Sequence, residues 1–175
     1  MKYEVKSLSI NINLKTMDWD RPQYDLGLED NNFGIGIENP KRDHNIGTLL
    51  RSAVIFNAMF LFSVNERYRA QTSDTSNSRE VIPFYHYKDA QDMHDHLPYG
   101  YQPVGVEMTD DTENLQDFVH PRKAVYLLGS EDNGLSKKSL ELCHKKIILP
   151  GRRSLNVAVA GSIVMYDRIA KLTRK

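Results

Sequence analysis

Residues Ile147 to Tyr166 read IILPGRRSLNVAVAGSIVMY. A short apolar run, Lys146 to Leu149, stops at Pro150-Gly151. The chain turns through two arginines, and a pattern of helical period begins near Leu155. Strand, tight connection and helix in that order make a βα unit, and the same alternation runs back through the chain. Runs rich in β-branched and aromatic residues occur at Phe33 to Ile37, Met59 to Val64, Glu80 to Phe84, Pro103 to Glu107 and Ala124 to Leu128. Between them lie segments of helical character at about Asn45 to Phe56, Lys88 to Asp95, Thr112 to Asp117 and Ser136 to Cys143. With a final helix from about Leu155 to Leu172, the pattern predicts an α/β domain over residues 33 to 175, its mostly parallel sheet flanked by helices. On that last helix Leu155, Val159, Ile163, Tyr166 and Ile169 recur at helical spacing, beside residues small enough for close packing.

Composition bounds the function. The chain has 175 residues, 40% of them hydrophobic, enough for one domain with a full core. Lone Cys143 excludes a disulfide framework and any paired-cysteine zinc site, and fits a reducing, cytoplasmic setting. The longest apolar run, Ala53 to Val64, is interrupted by Asn57 and falls short of the roughly 20 residues that cross a bilayer. No charged head followed by an apolar stretch opens the chain, so no export signal is expected. Met1 to Asn32 reads as an irregular arm, and Arg67 to Arg79, rich in Ser, Thr, Asn and Arg, as a long loop. The formal net charge is zero, which by itself argues against a polyanionic partner. The sum is made of opposites: residues 137 to 175 carry ten bases and only Glu141 and Asp167 as acids, a balance of +8, and the first 136 carry −8.

Three segments carry chemistry. In Asn39 to Phe60, NPKRDHNIGTLLRSAVIFNAMF, a Pro-containing loop leads into an amphipathic helix that Asn45 is placed to cap. Arg51, six residues later, is suited to grip a phosphate bidentately near the C-terminal edge of the sheet. In Val125 to Ser136, VYLLGSEDNGLS, a strand ends at Gly129, where a backbone can approach a ligand, and Glu131 offers an acceptor before the helix opened by Ser136. In the third segment Ser154 is placed to cap the final helix, whereas Asn156, inside its expected first turn, is a poor helix former without an evident structural task.

In order and spacing, N-x-G-x-x-x-R, L-G-S-E-x-x-G-L-S and S-L-N-V-A-V-A resemble the three motifs of the SpoU (TrmH-like) branch of the SPOUT superfamily of RNA methyltransferases, over about residues 33 to 172. The resemblance implies a sheet whose C-terminal part is threaded as a deep trefoil knot, a fold that periodicity does not predict. It implies S-adenosylmethionine held by Glu107, Gly129, Ser130, Leu149 and Leu155, and no metal. It carries Asn45, Arg51, Glu131, Ser154 and Asn156 onto the family's catalytic and substrate-positioning places, with Arg152 and Arg153 beside them for the RNA backbone. The implied reaction is methyl transfer to a ribose 2′-hydroxyl of RNA, tRNA ahead of rRNA, by a homodimer with sites near the interface. Family proposals make Arg51 the proton acceptor. A guanidinium with a pKa above about 12 is not deprotonated in proteins. Arg51 is therefore expected to clamp the neighbouring phosphate and stabilise the developing alkoxide, and Arg51→Lys to lose most turnover with the bidentate geometry. The sequence departs from the family at a short Gly151 to Arg153 loop and at Asn57, where relatives have Gly.

Rival readings are weaker. Gly34-Ile35-Gly36 suggests a dinucleotide fold, but position 39 is Asn and no helix starts there. His86, His94 and His96 have poor ligand spacing for a metal hydrolase. An RNA-binding protein of the same fold without catalysis, or a base methylase, stays open at this level.

Overall fold

Residues 32–65 and 82–173 are described in the structure, a computed structural model. The expected arm at 1 to 32, apart from Asn32, and the expected loop Arg67 to Arg79 lie outside the described residues, as do Glu80 and Val81 of one expected strand.

β1 (Asn32–Glu38) leads into α1 (Asp43–Ile55), and β2 (Phe60–Val64) and β3 (Phe84–Tyr87) follow. α2 (Ala90–Asp95), β4 (Gln102–Val106), β5 (Glu113–Asn114), β6 (Lys123–Leu128), α3 (Lys137–Leu142), β7 (Lys145–Ile148) and α4 (Val157–Leu172) complete the described chain. Every pairing is parallel, in the order β3-β2-β1-β6-β4-β7-β5. β7 thus sits between β4 and β5, and residues 107 to 112 cross from one side of it to the other.

The two-residue period of β6 divides the core. Tyr126 and Leu128 join Phe33, Ile35, Leu49 and Val164 on the side of α1 and α4, whereas Val125 and Leu127 join Phe60, Phe62 and Met93 on the side of α2 and α3. Each fully buried aliphatic side chain contributes about 1.5–3 kcal/mol. Gly34 and Gly36 lie in β1 opposite Phe60 and Phe62, whose rings would meet an added Cβ at 2.3 and 2.5 Å. The Gly-x-Gly pattern therefore makes room for aromatic rings and does not form a phosphate loop.

Several element boundaries differ from expectation. The expected helix at 112 to 117 is the edge strand β5 and a turn, because Glu113 and Asn114 pair with Ile147 and Ile148. Leu115 and Phe118 are buried by that turn, in which the Phe118 amide donates to the Asn114 carbonyl at 3.1 Å. β3 begins at Phe84, where the expected strand ends; Pro83 uses its carbonyl to accept from Leu61. The stripe Val159, Ile163 and Tyr166 is exposed, and α4 buries Ala158, Gly161, Val164, Met165 and Arg168. Apolar residues on both sides of the helix made its inward face ambiguous. Asn57 has φ +56°, a left-handed conformation that Asn tolerates better than most non-glycine residues, which accounts for it at a glycine position. No helix among the described residues is long and apolar enough to cross a membrane.

Candidate active site

The loops after β4, β6 and β7, three neighbouring strands, meet at one edge of the sheet and line an open cleft. Its walls are Val106–Met108 from the first loop, Leu128–Glu131 and Gly134 from the second, and Ile147–Leu149, Arg153–Leu155, Val157 and Ala160 from the third. Parallel strands end together, so their connections converge where open α/β sheets bind ligands.

The second loop is held by its own backbone and by carboxylates. Ser130 and Gly134 exchange backbone hydrogen bonds of 3.2 and 3.0 Å, closing a tight loop. Gly134 adopts φ +64°, and a Cβ there would strike the Glu107 carboxylate at 2.2 Å. A Cβ on Gly129 would strike the Gly134 backbone, also at 2.2 Å. Glu107 accepts from the amides of Met108 (2.9 Å) and Leu135 (2.7 Å). Glu38, buried at the end of β1, accepts from the Ser136 amide at 2.8 Å. Ser136 in turn caps α3 by accepting from the Ser139 amide.

Three distant segments meet over this loop. Glu131 accepts from the Asn45 side-chain amide, and Asn156 Nδ2 donates to Asn45 Oδ1 at 3.0 Å and approaches Glu131 Oε1 at 3.4 Å. Asn45 is not a cap: α1 starts at Asp43 after Arg42, leaving Asn45 buried in the first turn with its amide turned to Glu131. Asn156, and not Ser154, caps α4, its Oδ1 accepting from Ala158 and Val159 at 3.0 and 3.3 Å. One side chain thus caps a helix with its oxygen and reaches Asn45 with its nitrogen.

Glu107, Gly129, Ser130, Leu149, Leu155, Glu131, Ser154 and Arg153 all line the cleft, and Asn45 and Asn156 join it through Glu131. Arg51 and Arg152 are exposed and do not line it; Arg51 sits on the side of α1 that carries exposed Ile55. The basic C-terminal segment is partly spent on structure. Arg168 is fully buried, Lys171 pairs with Asp167 at 2.7 Å, and Lys146 pairs with Asp111. Sequence reasoning missed Glu38 as a holder of the loop, although a carboxylate ending the strand NFGIGIE was a usable signal. It also missed Lys41 and Arg42, which contact Asp132 and Glu131. Lys41 holds the Asp132 carboxyl below the usual carboxylate range. Burial pushes the Cys143 thiol up to about 12, so it is no nucleophile.

Residues 32–166 match the model of the SpoU rRNA Methylase family. The tRNA (guanosine(18)-2'-O)-methyltransferase of Escherichia coli (strain K12) is 25% identical over 139 residues, 76% of this chain and 61% of that protein. The 23S rRNA (guanosine-2'-O-)-methyltransferase RlmB of Nitrosomonas europaea is 24% identical over 149 residues, 81% of this chain and 57% of that protein. This chain therefore spans about 60% of the length of these relatives. The SpoU methyltransferase AviRb from Streptomyces viridochromogenes, solved in complex with the cofactor AdoMet, superposes with TM-score 0.72 at 21% identity, over 82% of this chain and 59% of that one. The A. aeolicus TrmH/SpoU tRNA modifying enzyme gives TM-score 0.72 at 21% identity, over 81% and 75%. With the family model covering most of the chain, and the same fold in solved SpoU structures, the chain belongs to the SpoU rRNA methylase family.

Proposed function

We propose that the protein transfers a methyl group from S-adenosylmethionine to a ribose 2′-hydroxyl of RNA, with tRNA the favoured substrate. The observation that carries this reading is the meeting of Asn45, Glu131 and Asn156 beside a cleft lined by Glu107, Gly129, Ser130, Leu149 and Leu155. The walls fit the cofactor in kind: aliphatic Val106, Ile147, Leu149 and Leu155 suit an adenine face, loop backbone suits its edge, and carboxylates suit a cation. When bound, S-adenosylmethionine supplies an electrophilic methyl on a sulfonium.

The protein's own residues then have to orient and discharge. Leu149 and Leu155 hold the base, and Gly129 lets the loop backbone approach it. Asn45, held by Glu131 and Asn156, and Ser154 at the cleft position the ribose, so that oxygen, carbon and sulfur align. Arg51, exposed outside the cleft of its own chain, clamps an RNA phosphate, and the hydroxyl proton leaves to water. Arg152 and Arg153 contact the RNA backbone. We assign the exposed stripe Val159, Ile163 and Tyr166, whose Tyr166 ring meets Phe56 at the end of α1, to a homodimer interface, and Ile163→Asp is expected to give monomers in sedimentation. The knot implied by the motifs accords with β7 lying between β4 and β5. An RNA substrate and a buried thiol suit the cytoplasm.

Incubating the protein with methyl-labelled S-adenosylmethionine and total RNA lacking the modification, then digesting to nucleosides for mass spectrometry, tests the reading. A 2′-O-methylnucleoside is expected; a base-methylated product, or none, would overturn it.

A further inference from the structure

We infer that Lys41 and Arg42, on the connection between β1 and α1, form a phosphate-binding patch beside the cleft that receives the RNA backbone next to the target nucleotide. The inference rests on the RNA reading above and adds a binding surface that its motifs do not assign.

Arg42 is 76% exposed in its side chain and approaches Glu131 Oε2 only at 3.7 Å, beyond the roughly 2.7–2.9 Å of a charge-assisted hydrogen bond. Its guanidinium has several N–H groups to offer, within reach of a residue that lines the cleft. Lys41 is half exposed and contacts Asp132, itself 60% exposed. A surface pair of this kind contributes at most about 1 kcal/mol, too little to be the main use of two consecutive cations at a cleft mouth.

Charge around the cleft sharpens the case. Glu131 and Asp132 would repel a polyanion, and Asp43 follows Arg42 directly as the first residue of α1. With Arg168 buried and Lys146 and Lys171 engaged elsewhere, the C-terminal segment leaves the Arg152-Arg153 loop nearest the cleft as its cationic contribution. Lys41 and Arg42 offset the two loop carboxylates and add a cationic element from a different part of the chain. An RNA strand entering the cleft would then meet positive charge on two loops.

The test compares the 175-residue chain with its Lys41→Ala/Arg42→Ala variant, by fluorescence anisotropy on a labelled single-stranded oligouridylate between about 50 and 300 mM salt. For every phosphate that is no longer neutralised, the slope of log affinity against log salt should fall by about 0.7. The double variant is expected to lose about 1.4 in slope and to bind RNA about tenfold more weakly at low salt. Its melting temperature and its affinity for S-adenosylmethionine by calorimetry should match the wild type. Lys41→Arg/Arg42→Lys should restore the slope. An unchanged slope, with weakened cofactor affinity, would overturn the inference and make the pair a brace for Glu131. Salt-dependent RNA binding without methylation by the wild type would break the catalytic reading alone, leaving the slope to decide this one; no RNA binding by the wild type would overturn both.

Discussion

Helix α4 contributes to two polar clusters, about 18 Å apart along its axis, with opposite economies. At its start Asn156 meets Asn45 and Glu131 beside an open cleft. Toward its end, buried Arg168 donates to the carbonyls of Pro121 (2.7 Å) and Arg122 (2.8 Å) and to the Tyr126 hydroxyl (3.2 Å). Asp167 accepts from His120 Nε2–H at 2.8 Å, which leaves Nδ1 of the neutral ring to accept the Tyr126 proton at 2.5 Å. Lys171 completes the group on Asp167 and the Phe118 carbonyl. That chain of donors and acceptors closes on itself and contributes to the fold. The cleft cluster presents polar atoms to a space a substrate can enter, which is what a site needs and a core avoids.

The comparison predicts that damage to the closed cluster lowers stability and damage to the open one lowers activity. The largest effect is expected for Arg168→Met: two carbonyls and a hydroxyl lose their donor inside the protein, and stability by urea titration should fall by about 3–5 kcal/mol. A loss below about 1 kcal/mol would show that water replaces the guanidinium. Glu131→Ala should do the reverse. Turnover in the labelled-methyl assay should drop about 100-fold, or about 2.7 kcal/mol, while the urea midpoint barely moves. Unfolding of this variant would mean that Glu131 is chiefly a structural clamp.

A third effect follows from His120, whose proton affinity burial lowers from 6.5 to about 4, overcoming Asp167. Protonating Nδ1 would leave the Tyr126 proton without an acceptor. Since the unfolded chain takes up the proton first, this residue has no effect on stability above about pH 6.5, and a penalty grows as pH falls toward 4. Between pH 7.5 and 5 the loss should be about 2 kcal/mol, and His120→Gln should flatten it. An equally steep loss in that variant would place the titration elsewhere. The smallest effect separates the two tasks of Asn156. Asn156→Ser keeps a cap for α4 and Asn156→Ala loses it, so the second should be about 1 kcal/mol less stable than the first. Both should lose activity alike, having lost the amide that reaches Asn45. Full activity in the Ser variant would reduce Asn156 to a cap.

Much of this was legible in the residues. The alternation of β-branched runs and helical segments carried the parallel sheet, because buried strands and amphipathic helices leave distinct periods. The three motifs marked Asn45, Glu131 and Asn156, and Gly129 could be read as a close approach. Less legible were features that depend on neighbours in space. Leu115 and Phe118 have helical spacing, yet their segment pairs at a sheet edge, because Ile147 and Ile148 offer backbone partners there. Both sides of α4 carry apolar residues, so only its packing on α1 reveals which are covered.

The sequence by itself determined the class of fold, most of its elements and the residues that make up the motifs, since these follow from local propensity and spacing. Tertiary structure decided which charges are available. The +8 balance of the C-terminal segment counts Arg168 with Arg153, but one lies in the core among carbonyls and the other lines the cleft. A formal charge is fixed by the side chain; its use depends on solvent and on the groups that the fold brings near it.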